Sequence, residues 1–224
     1  MTLSKNKKKQ IEGLDLDKSY PVLEAVKLLK EKKYVKFDES IEISINTGID
    51  SKQSDQNVRG SFVPPHGLGK KVEIAVFAQG KNADDAKSLG VKRVGGEELV
   101  TTLQNKIDVD VIIATPDMMS VVSKIAKTLG PKGLMPNPKT GTVTNDIKST
   151  IDNINKGLVA YKSDKAGTIH AALGKLSFEE NQISENINSF IDEIKKIKPS
   201  GLKGNFINSV FISSTMGFGL KVEI

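Results

Sequence analysis

The chain has 224 residues, 38% of them apolar, a formal net charge of +6 and an isoelectric point of about 9.2. This length suits one large domain or two small ones, and the basic charge is compatible with a nucleic-acid partner. The lack of cysteine excludes disulfides and thiolate chemistry, and the two widely separated histidines, His66 and His170, make a poor metal cluster. The apolar runs fall far short of the roughly 18 residues that a membrane span needs, and we expect a soluble, cytoplasmic protein without membrane contact.

Periodicity defines the elements of the first third. Residues 1–18 are polar and rich in lysine, and we expect them to form an arm that is loose when the protein is unbound. Apolar positions at helical spacing predict a helix over residues 21–33. Ile41, Ile43 and Ile45 alternate with polar residues, which predicts a strand with one solvent-exposed face. A second strand is predicted over residues 57–63, before a pair of prolines.

The middle of the chain has a different pattern. Residues 72–78 and 109–114 are almost wholly apolar, which is typical of buried parallel strands. Helices are predicted over residues 83–89, 97–106 and 118–129, and again from Ile147 to a stop at Gly157. Strands that alternate with helices predict a small α/β unit with a parallel sheet.

The last third resembles the first in its pattern. A strand is predicted over residues 169–173, an amphipathic helix over residues 184–196 and a further strand over residues 206–213, before a glycine-rich end. Because the two ends resemble each other and the centre differs, we interpret the centre as a candidate domain inserted into the other.

Residues 130–143, GPKGLMPNPKTGTV, are the most informative segment of the chain. Proline and glycine prevent this segment from continuing a helix or a central strand. It contains no carboxylate, thiol or imidazole and therefore cannot perform acid–base chemistry. The segment is predicted to be a long basic loop that approaches a phosphate backbone, since long loops in compact domains are usually functional.

Three shorter segments each admit two interpretations. Phe37 is either a core residue or a platform at a nucleotide, with Lys36 on a phosphate. Residues 213–219 combine hydroxyls, Met216 and glycines after an apolar strand, which suits contact with a ribose 2′-OH. The alternative is a plain C-terminal turn with Met216 packed inward. Residues 66–70 lack the pattern of a phosphate-binding loop and are interpreted as a flexible junction.

Six strings occur in order along the chain: KFDESIEI at 36–43, SDQNVRG at 54–60, PHGLGK at 65–70, ATPDMM at 114–119, GPKGLMPNPKTGTVT at 130–144 and STMG at 214–217. With them the chain resembles the L-one family of large-subunit ribosomal proteins in its bacterial form. The resemblance implies a combined α/β and α+β fold with two domains. Residues 1–67 plus 159–224 would form a discontinuous split β-α-β domain with an antiparallel sheet. Residues 68–158 would form an inserted Rossmann-like three-layer α/β domain.

The resemblance also implies the function. Members of the family bind large-subunit rRNA and form a mobile stalk that assists the release of deacylated tRNA from the exit site. Bacterial members also repress translation of their own operon by binding its mRNA leader. The implied partners are therefore the rRNA, the exit-site tRNA and the mRNA leader. The protein would be a monomer when free of the ribosome, without enzymatic activity, cofactor or metal.

Carried over by motif, the RNA contacts fall into two groups, with a third group of residues as hinges. The first-domain contacts would be Lys36, Phe37, Ser40, Glu42, Gly167, Thr168, Ile169, His170, Ser209, Thr215, Met216 and Gly217. The second-domain contacts would be Lys132, Lys139 and Thr140, and the hinges Gly67, Gly69 and Gly157.

Two other functions compete with RNA binding. An enzyme built on the central α/β unit would need a phosphate-binding fingerprint or a paired acid and base, and the sequence shows neither. A protein-interaction scaffold with incidental basic charge would bind protein rather than RNA.

Overall fold

The computed structural model describes residues 8, 10–15, 18–50, 53, 56–105, 107–199, 202 and 204–223. Most of the predicted N-terminal arm lies outside these residues. Where the arm is described, the Gln10 side-chain amide is buried and donates to the Lys32 carbonyl at 3.0 Å. Ile11 and Leu14 also pack against a hydrophobic core. This part of the arm is therefore attached to the protein, and the prediction of a loose arm is wrong for it.

The chain divides into two compact units. Unit 1 comprises Met1–Gly69 and Val159–Ile224, and unit 2 comprises Lys70–Leu158. In chain order the labelled elements are β1 (Ser19–Tyr20), α1 (Val22–Glu31), β2 (Ser40–Thr47), β3 (Arg59–Phe62), β4 (Ile74–Phe77), α2 (Lys81–Ser88), β5 (Arg93–Gly95), α3 (Glu97–Asn105), β6 (Val111–Ala114), α4 (Met119–Ser123), α5 (Ala126–Leu129), α6 (Ile147–Asn155), β7 (Val159–Lys162), β8 (Thr168–Lys175), α7 (Glu180–Lys196), β9 (Ile207–Ser214) and β10 (Gly219–Val222).

Unit 1 is built on a five-stranded sheet in the order β1-β10-β9-β2-β8. Its pairs are antiparallel except for the parallel β1 and β10, and β3 pairs with β7 in a separate two-stranded sheet. The alternation in β2 buries Ile41, Ile43 and Ile45 in a core shared with helices α1 and α7. The polar residues between them therefore lie on the opposite face of the sheet.

Unit 2 is a parallel three-stranded sheet in the order β5-β4-β6, with helices on both faces. Alternate residues of β4 enter different cores. Ala75 and Phe77 pack with the side chains of α3, α4 and α5, whereas Ile74 and Val76 pack with those of α2 and α6. The predicted combination of an α+β architecture with a three-layer α/β architecture is thus confirmed.

The single helix predicted over residues 118–129 is wrong. The segment is a 3₁₀ turn at Pro116–Met118 followed by the two short helices α4 and α5. The Ser123 hydroxyl donates to the Met119 carbonyl at 2.8 Å, and such back-bonding bends helices. The next helix begins only after Ile125, whose φ of −107° and ψ of 10° are not helical. Ile125 and Leu129 are nevertheless buried, as the predicted apolar face requires.

None of the helices in the described part of the chain is long and apolar enough to span a membrane. Four strands, β1, β5, β7 and β10, were not predicted from the sequence. They have two to four residues each, which is too short for a period-two pattern to be distinctive.

Candidate nucleic-acid interface

Two motifs far apart in the sequence meet at one corner of the unit 1 sheet. The Thr215 backbone N–H donates to the Ser40 carbonyl at 3.2 Å, and the Ser40 N–H donates to the Thr215 hydroxyl at 3.0 Å. The Met216 N–H donates to a carboxylate oxygen of Glu39 at 2.9 Å. We call residues 36–40 and 214–217 the corner. Its geometry depends on contacts between residues 175 or more positions apart.

The corner presents two large apolar side chains to solvent. Phe37 is 50% exposed and Met216 is 43% exposed. The alternatives of a core Phe37 and an inward-packed Met216 are therefore wrong. Lys36 is also exposed. A Cβ atom at Gly217 would meet the Ser214 hydroxyl, so a larger residue there would require the Ser214 side chain to move. Phe218 is buried in the core of unit 1 and directly precedes β10.

The face of the sheet opposite the helices continues from the corner, and we call it the open face. Cross-strand pairing places Ser44 between His170 and Phe211, and Phe211 beside Lys221. The rows on either side place Glu42 between Ala172 and Ser213, and Asn46 between Thr168 and Ser209. Four predicted contact residues therefore share this face: Glu42, Thr168, His170 and Ser209.

Sequence reasoning missed the residues between them. Phe211 is 39% exposed near the centre of the open face, with Ser44 and Lys221 on its two sides. The signal was available in β9, where buried Val210 and Ile212 alternate with outward-facing residues. The further open-face residues that the sequence did not single out are Ser44, Asn46, Phe211 and Lys221. Ser213, which belongs to the segment predicted to contact a ribose, also lies on this face.

A tight turn before β8 supports one edge of the open face. One carboxylate oxygen of Asp164 accepts the N–H groups of Ala166 and Thr168, both at 2.8 Å. These hydrogen bonds hold the pKa of Asp164 below its usual value, and the bond from the Thr168 N–H makes the largest contribution. Gly167 has a φ of +79°, and a Cβ there would lie 2.9 Å from the Ile49 carbonyl oxygen. His170 places Nδ1 3.0 Å from the Ser44 hydroxyl.

Three predicted contact residues are corrected by their burial. The side chain of Ile169 is fully buried and points to the helix side of the sheet. Gly167 is buried, and its carbonyl accepts a hydrogen bond from the Thr47 hydroxyl. Thr140 is 5% exposed, and its hydroxyl donates to the Asn137 carbonyl at 3.0 Å. These groups support the surface from within and do not form it.

Three lysines line a pocket beside the corner. The pocket has a volume of about 370 Å³ and is lined by Lys30, Lys33, Lys36, Asp38, Leu176 and Ser177. The one carboxylate among them, Asp38, accepts the Ser177 N–H at 3.1 Å and the Ser177 hydroxyl at 2.9 Å. The lining is therefore predominantly cationic, as a phosphate requires. Lys30 and Lys33 were missed, although their i, i+3 spacing near the end of a predicted helix was readable.

The Pro/Gly loop of unit 2 is held by an internal network around Asn137. Its side-chain oxygen accepts the Lys139 N–H at 2.8 Å, and its backbone N–H donates to the Thr142 hydroxyl at 2.8 Å. The loop is also attached to the end of β6, because the Ala114 N–H donates to the Thr142 carbonyl at 3.0 Å. Lys132 and Lys139 are exposed on this anchored loop.

The predicted hinge glycines all have positive φ values: +69° at Gly67, +65° at Gly69 and +99° at Gly157. Few other residues tolerate such angles. The buried Asn186 anchors the segment before the first junction, since its amide accepts the His66 N–H at 3.1 Å and donates to the Gly67 carbonyl at 3.2 Å. A hinge role for these glycines stays a prediction.

One pocket of unit 2 has a volume of about 340 Å³ and lies before the start of β4, with Lys70, Lys71 and Lys92 in its lining. Ligands of open α/β sheets bind outside the carboxyl ends of the strands, and this pocket is at the amino end. Within the described residues, no group of three or more His, Asp or Glu side chains is placed to hold a metal ion.

The fold and these surfaces define a two-unit α/β protein suited to binding a large polyanion. The sequence model of the ribosomal protein L1p/L10e family matches residues 29–218. The chain therefore belongs to this family. It is 49% identical over 222 residues to the large ribosomal subunit protein uL1 of two strains of Coxiella burnetii, Dugway 5J108-111 and RSA 331 / Henzerling II. Each alignment covers 99% of this chain and 96% of the relative.

Proposed function

We propose that this protein is a structural component of the large ribosomal subunit and binds large-subunit rRNA through the corner and the open face of unit 1. One observation carries the proposal. The motifs around Phe37 and Met216 meet across 175 residues of sequence and expose both apolar side chains beside a lysine-lined pocket. Exposed apolar groups surrounded by cations and hydroxyls suit RNA, which offers bases, phosphates and 2′-hydroxyls together.

The binding mechanism divides between charge and shape. Lys33 and Lys36 neutralise phosphates and release counterions, which supplies a salt-dependent part of the affinity. Phe37 offers a stacking surface to an unpaired base. The hydroxyls of Ser209 and Ser213 and the close-packed backbone at Gly217 approach riboses, where a 2′-OH distinguishes RNA from DNA.

The finer parts of the proposal rest on family membership. We propose that the two units are separate domains, with residues 1–67 plus 159–224 in one and residues 68–158 in the other. Lys132 and Lys139 add second-domain contacts, and Gly67, Gly69 and Gly157 act as hinges of a mobile stalk that assists the release of tRNA from the exit site. The monomeric free protein also represses its own operon by binding the mRNA leader, which would compete with rRNA for the same surface.

The test is a binding titration with a folded stalk fragment of large-subunit rRNA, with an unrelated RNA duplex of equal length as control. Met216→Asp is expected to weaken binding to the stalk fragment by at least about tenfold, because it puts a negative charge at the RNA surface. Leu23→Asp is the matched control, since Leu23 is an exposed apolar residue of α1, away from the open face.

Both variants are measured at several salt concentrations, and their melting temperatures are compared with that of the wild type. Equal affinity of the wild type for stalk fragment and duplex, or equal loss of affinity in the two variants, would contradict the proposed site. Release of the natural partner by protease but not by RNase would favour the protein-scaffold alternative.

A further inference from the structure

Glu39 is a buried carboxylate at the edge of the proposed RNA surface. It is 1% exposed, and one of its oxygens accepts the Met216 backbone N–H at 2.9 Å. Burial of a carboxylate is costly unless hydrogen bonds compensate for the lost water. At this level of exposure Glu39 cannot contact RNA itself, and its placement needs another explanation.

The strand register explains the contact between Glu39 and Met216. Strands β2 and β9 pair Ile43 with Ile212 and Ile41 with Ser214, so the next positions opposite each other are Ser40 with Thr215 and Glu39 with Met216. One main-chain hydrogen bond remains here, from the Thr215 N–H to the Ser40 carbonyl, and side chains accept the other two N–H groups. The Ser40 N–H donates to the Thr215 hydroxyl instead of a backbone carbonyl, and the Met216 N–H donates to the Glu39 carboxylate.

We propose that Glu39 is the positioning residue of the RNA-contact turn. Its carboxylate holds the Met216 backbone where β9 leaves the sheet, and this fixes the direction in which the exposed Met216 side chain is presented. The inference rests on the proposed function, since Met216 must contact RNA for its position to matter. The neighbouring carboxylate of Asp38 has a different task, because it is bonded to Ser177.

A double-mutant cycle tests the coupling. Glu39→Ala and Met216→Ala are each expected to weaken binding to the folded stalk rRNA fragment by about tenfold, in the range of a lost hydrogen bond to a charged group. The double variant is expected to bind no more weakly than Met216→Ala alone, because an absent side chain does not need to be positioned. Glu39→Gln keeps an oxygen acceptor and is expected to retain most of the affinity.

Two measurements separate positioning from general stability. Hydrogen exchange at the Met216 amide is expected to accelerate in Glu39→Ala and to stay slow in Glu39→Gln. Ser163→Ala is the matched control, since the buried Ser163 hydroxyl accepts the Val58 N–H at 3.2 Å elsewhere in unit 1. This control is expected to lower the melting temperature and to leave the RNA affinity unchanged.

The outcomes are distinguishable. If Met216→Ala weakens binding but Glu39→Ala does not, or if the two effects are additive, the positioning role is overturned while the proposed function stands. A loss of RNA affinity in Glu39→Gln with unchanged hydrogen exchange at the Met216 amide also overturns the positioning role. If Glu39→Ala does not fold, the measurements on Glu39→Gln test the positioning role alone. Full affinity of Met216→Ala overturns the proposed site and the positioning role together.

Discussion

The hydroxyl of Tyr161 is buried, and no hydrogen-bond partner for it lies among the described residues. The ring packs edge-on against Phe190, with ring centroids 5.5 Å apart, in the core of unit 1. A Cβ atom at Gly60 would lie 2.5 Å from the hydroxyl oxygen, so Gly60 leaves the space that this oxygen occupies. Burial, with a contribution from Glu193, raises the pKa of Tyr161 to about 12.

Tyr161→Phe is expected to raise the free energy of unfolding by roughly 1 kcal/mol, because it removes a buried donor without a partner. Since the pKa of Tyr161 rises from 10.0 to about 12 on folding, the stabilising effect of that shift is complete below pH 10 and is lost as the pH approaches 12. The variant should therefore lose less stability than the wild type between pH 9 and pH 11. Urea unfolding at these two pH values measures both effects.

Tyr20→Phe is the matched control for this change. The Tyr20 hydroxyl donates to the Asp15 carbonyl at 2.9 Å, and its removal should lower the free energy of unfolding. Loss of stability in both variants would show that the Tyr161 hydroxyl has a partner after all.

At the scale of elements, the turn between β7 and β8 shows how a loop prepares a surface. Asp164 binds two backbone N–H groups, Gly167 supplies the positive φ, and the turn delivers Thr168 and His170 to the open face. The resemblance assigned Gly167 to RNA contact. The structure gives it the role of shaping the strand entry instead.

Asp164→Ala is expected to lower the melting temperature at neutral pH, because the N–H groups of Ala166 and Thr168 lose their acceptor. The folded pKa of Asp164 is depressed below 3.8, so its contribution is present above that pH and disappears as the pH falls through the depressed value. The difference in melting temperature between wild type and variant should therefore shrink in acid. Asp192→Ala, an exposed carboxylate of α7, should cause little change at either pH and serves as control.

At the scale of the whole molecule, the two units have separate hydrophobic cores. Phe190 is buried in the core of unit 1, and Phe77 is buried in a core of unit 2. The proposed corner and open face are built entirely within unit 1. Damage to one core should therefore have a different effect on RNA binding from damage to the other.

Phe77→Ala and Phe190→Ala are each expected to destabilise their own unit by about 3–5 kcal/mol, the usual effect of a phenylalanine-sized cavity. Under mild urea that unfolds the damaged unit, Phe190→Ala should abolish binding to the stalk fragment, whereas Phe77→Ala should retain most of it. Hydrogen exchange resolved by unit, measured beside RNA affinity, checks the assignment. Equal loss of binding in both variants would show that the intact unit 1 is not sufficient.

Much of the fold was predictable because its signals are local. The alternation of Ile41, Ile43 and Ile45 depends only on neighbouring residues, and it predicted both β2 and its two-faced character. The apolar runs at β4 and β6 likewise predicted buried parallel strands. The break between α4 and α5 escaped prediction, because the apolar spacing is helical on both sides of Ile125 and does not reveal its non-helical φ and ψ.

The amino-acid sequence by itself determined the fold class, the family and the presence of a long basic Pro/Gly loop. These features are readable from the sequence because periodicity and short motifs depend on residues that lie close together along the chain. Only the tertiary structure decided that Phe37 and Met216 are exposed, that Ile169 and Thr140 are buried, and that Glu39 meets Met216. Exposure and side-chain partners depend on which distant strands pair and in which register, and that choice is made by the packing of the whole unit.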